Sequence, residues 1–340
     1  MSTEAVSAPP ALARTRALLD PALRRAVARL DPVNRSISEY HLGWVTADGT
    51  PREPAGGKAV RPTVTLLAAE ACGAAAETAI PGAVSVELVH NFSLIHDDVM
   101  DGDTERRHQP TVWALWGVPA AILTGDALVN LAQEVLLPRD PQASAVLGSA
   151  IREMIRGQTE DLAFERRDWV ELPECRAMAA GKTGALLSAS ARIGGLLGGG
   201  SAAAVDALGA YGAHVGMAFQ LVDDVLGIWG DTSVTGKPVL SDLRARKKSL
   251  PVTYVLSAGG SPAQAIADWL AAPEPADGAP ETELERIADV LDAAGGRDWA
   301  LAEADREIGQ AVQALDSVPL AEPAREELKA LTRFLTHRSA

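Results

Sequence analysis

Two apolar helical runs in this chain each end in adjacent aspartates, and that coincidence restricts the folds open to it more than any other feature. The first run is followed by His96-Asp97-Asp98-Val99-Met100-Asp101. Its apolar residues Val84, Val86, Leu88, Val89, Phe92, Leu94 and Ile95 fit a largely buried helix better than a strand. On that helix Asp97 and Asp101 share a face one turn apart, with Asp98 turned about 100° away, and Gly102 closes the last turn. Three acids then stand at the negative end of the helix dipole, each at a cost of about 0.3 to 1 kcal/mol. A hard divalent cation offsets that cost, because Mg2+ takes oxygen ligands, one or two of them carboxylates, and completes its shell with water and substrate phosphates. Alone, the same pattern also fits a solvated acidic loop.

The second run removes much of that ambiguity. Val215 to Val222 is apolar apart from Gly216 and Gln220, Asp223 and Asp224 follow, and Gly227 and Gly230 precede Asp231. Two acid pairs on two helices face each other across a bundle interior only when a shared ligand makes the charge tolerable. The pair points to a polynuclear Mg2+ site that holds a diphosphate.

Composition agrees with a helical bundle. Hydrophobic residues make up 47% of the 340-residue chain and aromatics 4%, so alanine and leucine dominate a large core and favour helix over sheet. Lys and Arg number 31 against 45 acids, a formal charge of -14, which argues against nucleic acid as a partner. Cys72 and Cys175 have no metal-ligand spacing and read as reduced thiols of a cytoplasmic protein. No signal peptide opens the chain, and its apolar runs are broken too early to span a membrane. Residues 1–10 read as a flexible polar tail and 11–340 as a single all-α domain. Pro21 and Pro32 are expected to interrupt the first basic amphipathic segment.

Basic residues gather near the acids. Lys58 and Arg61 follow Gly56-Gly57, where backbone and cations can approach an anion together. Arg106-Arg107 come directly after the first acid cluster, either as charge compensation or as clamps on phosphate oxygens. Gly181-Lys182-Thr183-Gly184 lies within a helix opened by Pro173. Its lysine either snorkels or delivers an ammonium to phosphate. Gly236-Lys237-Pro238 and the run to Lys247-Lys248 lie just past the second acids. Gln158 to Asp161 puts polar groups into an apolar helix with no evident role.

In this order the motifs resemble those of the trans-isoprenyl (polyprenyl) diphosphate synthases, which include farnesyl and geranylgeranyl diphosphate synthases. The resemblance runs from about Gly56 to Pro251 and rests on Gly57-Lys58-x-x-Arg61-Pro62, His90 ahead of Asp97-Asp98-x-x-Asp101, Arg106-Arg107, Lys182-Thr183, Phe219-Gln220-x-x-Asp223-Asp224, and Gly236-Lys237 through Lys247. It implies an all-α bundle of the class I isoprenoid synthase type around a central cavity, working as a homodimer. It places the diphosphate of isopentenyl diphosphate on Lys58, Arg61, His90 and Arg107. Arg106, Lys182, Thr183, Gln220, Lys237 and Lys247 would contact the allylic diphosphate. Asp97 and Asp101 would bind two Mg2+ ions and Asp223 a third, with Asp98, Asp224 and Asp242 in support.

The chemistry expected is metal-assisted ionisation of the allylic diphosphate, with Arg106, Lys182 and Lys237 stabilising the leaving group, followed by attack of the isopentenyl double bond. The chain departs from the family twice. Ala59 stands where an arginine is usual, and Gly227 stands where the second motif usually has its third aspartate, so Asp231, Asp242 or water must complete the shell. Asp223, Asp224, Gly227 and Asp231 also match the metal-motif spacing of class I terpene cyclases. A cyclase, however, would leave Lys58, Arg61, His90 and Arg107 without a task, and a catalytically silent partner subunit would typically lose the acids or clamps. The expected product is geranylgeranyl diphosphate, with farnesyl diphosphate the alternative. Phe92 lies about 7.5 Å below Asp97 and is the first bulky side chain able to close the cavity, since Ser93 is small.

Overall fold

Proline at the first turn sets the start of most long helices, where its missing N–H is no loss. The computed structural model describes residues 8–52, 57–230, 239–273 and 278–336. Helix α1 (Pro10–Val27) begins inside the expected tail and continues through Pro21. Pro21 and Ala17, whose carbonyl loses its intrahelical partner, are both exposed, so the break falls on the solvent side of the helix. Helix α2 (Pro32–His41) starts on Asp31, whose carboxylate accepts from the N–H groups of Val33 and Asn34. Helix α3 (Val60–Ala71) leads through a 3-10 turn at Ala76–Ala79 into α4 (Ile80–Met100), the helix of the first acid cluster.

After α4 the chain makes a small antiparallel hairpin, β1 (Glu105–Arg106) and β2 (Gln109–Pro110), with Arg106 opposite Gln109. Helices α5 (Val112–Trp116), α6 (Val118–Leu136), α7 (Pro141–Glu165) and α8 (Leu172–Ala179) follow. A π-helical turn, Ala180–Gly184, joins α8 to α9 (Ala185–Leu197), and the long α10 (Ala202–Trp229) carries the second acids. The remainder is α11 (Ser241–Arg244), α12 (Leu250–Ala258), α13 (Gly260–Ala271), α14 (Glu281–Ala293), α15 (Gly296–Asp316) and α16 (Glu322–Thr336). Apart from the two-residue strands β1 and β2, the described residues form helices, turns and loops, an all-α fold.

Helices α4 and α10 are apolar on nearly all sides, which places them inside the bundle. Helix α4 is flanked by α6, α3, α1 and α9, and α10 by α15 and α9. Leu23, Val27, Val86, Val89, Leu128 and Leu147 form one core around α4. Leu67, Leu187, Tyr211 and Leu328 form a second between α3, α9, α10 and α16, where Tyr211 donates to the Leu328 carbonyl at 3.0 Å. Buried charges tie α8 to α10 and α15. Arg176 holds Glu303 at 2.5 Å and Glu307 at 2.8 Å, and His214 Nδ1 lies 2.6 Å from Glu307. Glu303 and Glu307 are buried, and Arg306 also pairs with Glu303, so the charge is shared over several partners. Among the described residues, no helix is long and apolar enough to cross a membrane.

Candidate active site

The C-terminal turn of α4 separates its acids by direction. Asp98 turns into the protein, 1% exposed, and its Oδ1 accepts from Arg106 Nε at 2.6 Å. Its Oδ2 is buried with no hydrogen-bond partner. Asp97 lines a cavity and Asp101, one turn on, is exposed. Burial pushes the Asp97 and Asp98 carboxyls up to about 6, overriding the nearby cations Lys182 and Arg106, and the charge of Asp101 adds to the shift at Asp97. Asp101 is raised for the same first reason. These are groups crowded against burial and like charge, and added positive charge relieves them.

Arg106 reaches Asp98 because the hairpin turns tightly behind it. Arg107 and His108 occupy the turn with φ of 52° and 60°, the left-handed pair of a two-residue hairpin turn normally left to Asn and Gly. Large side chains there cost about 1 to 2 kcal/mol each. Of the five non-glycine residues with positive φ among those described, Ala59, Arg107, His108 and Arg246 each adjoin a residue named above for ligand binding, and Leu240 lies two residues before Asp242. Strain of this kind clusters where geometry is held for function. Ala59 in particular is the left-handed residue that opens α3 between Lys58 and Arg61.

The basic pocket forms on the far side of Arg107. Arg61 Nη1 lies 3.4 Å from His90 Nε2. Burial, then the charges of Arg61, Arg107 and His41, holds the His90 imidazole well below its usual range, so it is neutral. Glu87, one turn before His90, is raised by burial while Arg61 and Arg107 oppose that shift. Asn91 Nδ2 donates to Glu87 Oε1 at 3.2 Å. Lys58 Nζ lies 5.3 Å from the centre of the Phe334 ring. Glu87, the counter-charge inside this pocket, carried no sequence signal beyond its spacing of three from His90.

Lys182 is expected mid-helix, but the helix is interrupted there by the π turn. The cause is the close approach of α7. A Cβ on Gly157 would lie 2.4 Å from Lys182 N and 2.9 Å from the Met178 carbonyl, so only glycine admits this backbone contact. A π turn at a functional position is a recurring device. Lys182 Nζ donates to Asp161 Oδ2 at 2.6 Å, which gives Asp161 the role the sequence left blank.

At the second cluster Asp223 is exposed and Asp224 buried. Asp224 Oδ1 accepts from Gln220 Nε2 at 2.8 Å, and Oδ2 accepts from the Leu250 N–H at 2.8 Å. Gln220 Oε1 in turn accepts from Thr183 Oγ1 at 2.6 Å. Gln220 and Thr183 thus form a buttress behind Asp224. Burial, then the charge of Asp242, pushes Asp224 up to about 7. Burial alone would lower Lys247, but Asp242, Asp161, Asp224 and Asp223 raise it overall and keep it charged. Lys237 and Asp231 lie outside the described residues.

A cavity of about 390 Å3 leads away from Asp97 and Lys182 between α4, α6 and α7. Its walls include Phe92, Ser93, Met100, Val129, Met154 and Ile155. The polar groups Asp97, Lys182, His96, Asp126, Gln158 and Thr159 share its walls with these apolar side chains, a mixed lining that admits an amphiphile with a charged head and a hydrocarbon tail.

An all-α bundle with an aspartate pair ending each of two buried helices, and with Asp97 and Lys182 lining a cavity, suits a class of enzyme that handles diphosphates. The family model for polyprenyl synthetase matches residues 52–284. A (2E,6E)-farnesyl diphosphate synthase of Mycobacterium tuberculosis is 50% identical over 335 residues, covering 97% of this chain and 93% of its own. A geranylgeranyl diphosphate synthase of the same organism is 41% identical, covering 82% and 81%. The crystal structure of a polyprenyl synthetase from Streptomyces coelicolor superposes with a TM-score of 0.91 at 47% identity over 96% of this chain and 98% of its own. The chain belongs to the polyprenyl synthetase family and is a chain-elongating prenyltransferase.

Proposed function

We propose that the protein condenses isopentenyl diphosphate with an allylic diphosphate and releases geranylgeranyl diphosphate as its main product, with farnesyl diphosphate the alternative. The observation that carries the reading is two separate groups of cations, Lys182 and Lys247 beside Asp101, and Arg61 and Arg107 beside His90, which we read as two anion sites. A cyclase needs only the first.

The donor set fits Mg2+. Asp97, Asp101 and Asp223 offer hard oxygens, and Asp98 Oδ2 is a buried acceptor without a partner. Mg2+ takes one or two carboxylates and completes its shell with water and substrate phosphates. Asp97 and Asp101 would hold two ions and Asp223 a third. Bound there, Mg2+ supplies positive charge to the departing diphosphate. Lys182, Arg106, Lys247 and Lys237 orient the same group. Lys58, Arg61 and Arg107 bind the second diphosphate, and neutral His90 donates or accepts without adding charge. The cavity below Asp97 receives the growing tail and excludes water from the allylic cation.

Residues 11–340 act as one catalytic unit, a reading supported by the packing of α1 on α4 and of α16 on α3. Leu115, Val118, Ile122 and Leu123 leave an exposed apolar stripe on α5 and α6, and a second copy of the chain is its occupant. Cys72 and Cys175 are unpaired thiols, in keeping with the cytoplasm. The deciding experiment is incubation with isopentenyl diphosphate and each allylic starter, with product length read by mass spectrometry. A twenty-carbon product is expected. A cyclic hydrocarbon formed from an allylic diphosphate alone, with no elongation, would overturn the reading.

A further inference from the structure

We propose that Gln158 is a catalytic residue whose amide straddles the carbon–oxygen bond that breaks in the allylic diphosphate, with Oε1 toward the carbon and Nε2 toward the leaving oxygen. The proposal rests on the placement of that diphosphate on Lys182 beside Asp97. Gln158 is 8% exposed and stands in the wall of the cavity. Both polar atoms of its side chain are buried, and neither has a hydrogen-bond partner. A buried amide with no bond made costs the fold stability, and a methionine or leucine would fill the same space without that cost. Its partners therefore come from what enters the cavity.

The level of Gln158 on α7 decides which part of an allylic diphosphate it meets. Ile155, Gln158, Thr159 and Leu162 recur at helical spacing and line one side of the cavity. Asp161 holds Lys182 Nζ at 2.6 Å and so marks the level of the diphosphate. Gln158 stands three residues earlier, about 4.5 Å along the helix axis, toward Met154 and Ile155 in the same wall. That step leads from the phosphate to the ester oxygen and the first carbons of the prenyl chain. When the bond breaks, its electron pair leaves with the diphosphate oxygen and the allyl unit takes the positive charge. A carbonyl dipole aimed at that unit gains as the charge develops, and an N–H aimed at the oxygen gains with it. Gln158 itself exchanges no proton and no electron.

The test is steady-state kinetics together with calorimetric binding of two unreactive probes to the full chain in Mg2+. An allylic thiolodiphosphate stands for the bound substrate. An ammonium analogue of the allyl cation, paired with inorganic pyrophosphate, stands for the ionised state. Gln158→Met keeps the length and bulk of the side chain and removes both polar atoms. It should lower kcat by at least about tenfold with KM for the allylic substrate nearly unchanged. The ammonium probe should bind at least about tenfold more weakly and the thiolodiphosphate within about twofold of wild type. Should Gln158→Met not fold, Gln158→Leu is read by the same criteria. Wild-type kcat overturns the proposal, and so does an equal loss for the two probes, the result if the amide only orders a water or packs the wall. Lys182→Met separates the two levels: if it binds the thiolodiphosphate as wild type, the placement of the diphosphate fails and the proposal falls with it.

Discussion

Lys182 Nζ and Asp161 Oδ2 are 2.6 Å apart, so the ammonium proposed to meet the allylic diphosphate is held by an acid on a different helix. Asp161→Asn should leave Lys182 without its guide and lower kcat/KM for the allylic substrate by about tenfold. The pair is partly exposed, so the stability change should stay below about 1 kcal/mol. Steady-state kinetics alongside urea denaturation would decide it. Unchanged kinetics would show that Lys182 needs no guide.

The proposed reaction requires both acid clusters for ionisation. Asp97→Ala or Asp223→Ala should reduce turnover by at least about 10²- to 10³-fold, with helix content by circular dichroism unchanged. Near-normal turnover at saturating Mg2+ would remove these residues from the reaction.

Phe92 is 7% exposed and lines the cavity, with its ring edge-on to His96 at 4.9 Å. Phe92→Ala opens the shaft and should lengthen the product by at least one isoprene unit. An active variant with the wild-type product distribution would place the length determinant on another helix.

His41 gives a pH signature separate from the acids. Burial, then the charges of Arg107 and Arg106, lowers its imidazole to about 3. Below about pH 6.5 the unfolded chain takes up a proton that the folded chain refuses until about pH 3, so this residue's contribution makes stability fall as pH falls through that window. The raised carboxyls of Asp97 and Asp98 act in the opposite direction between about pH 4 and 6, so the comparison must be with a variant. His41→Gln should lose stability less steeply than wild type between pH 6.5 and 5 in urea denaturation. Parallel slopes would show that His41 takes up protons in the folded state.

The apolar stripe on α5 and α6 is a testable interface. Leu123 is 61% exposed. Leu123→Glu with Ile122→Glu should convert a dimer into a monomer by light scattering, with little loss of helix content. A wild-type chain that is monomeric at micromolar concentration would end the homodimer reading.

The sequence by itself determined the all-α class, the two acid clusters and the order of the basic motifs. Those signals are local: Asp97 and Asp101 share a face because an α-helix repeats every 3.6 residues, whereas Pro21, which reads as a break, lies inside α1. Only the tertiary structure decided what the charged groups do to one another. Asp161 reads as a stray polar residue in α7 until the contact at Gly157 brings α7 against the π turn. Glu87 looks like an ordinary helix residue until Arg61 and Arg107 close around it from two other elements. Gly227 looks like a lost acid until α11 folds back and its Asp242 carboxylate stands where a Cβ would be. In each case the partner comes from a separate element, and its approach depends on backbone contacts between helices, which the local pattern of residue types does not encode.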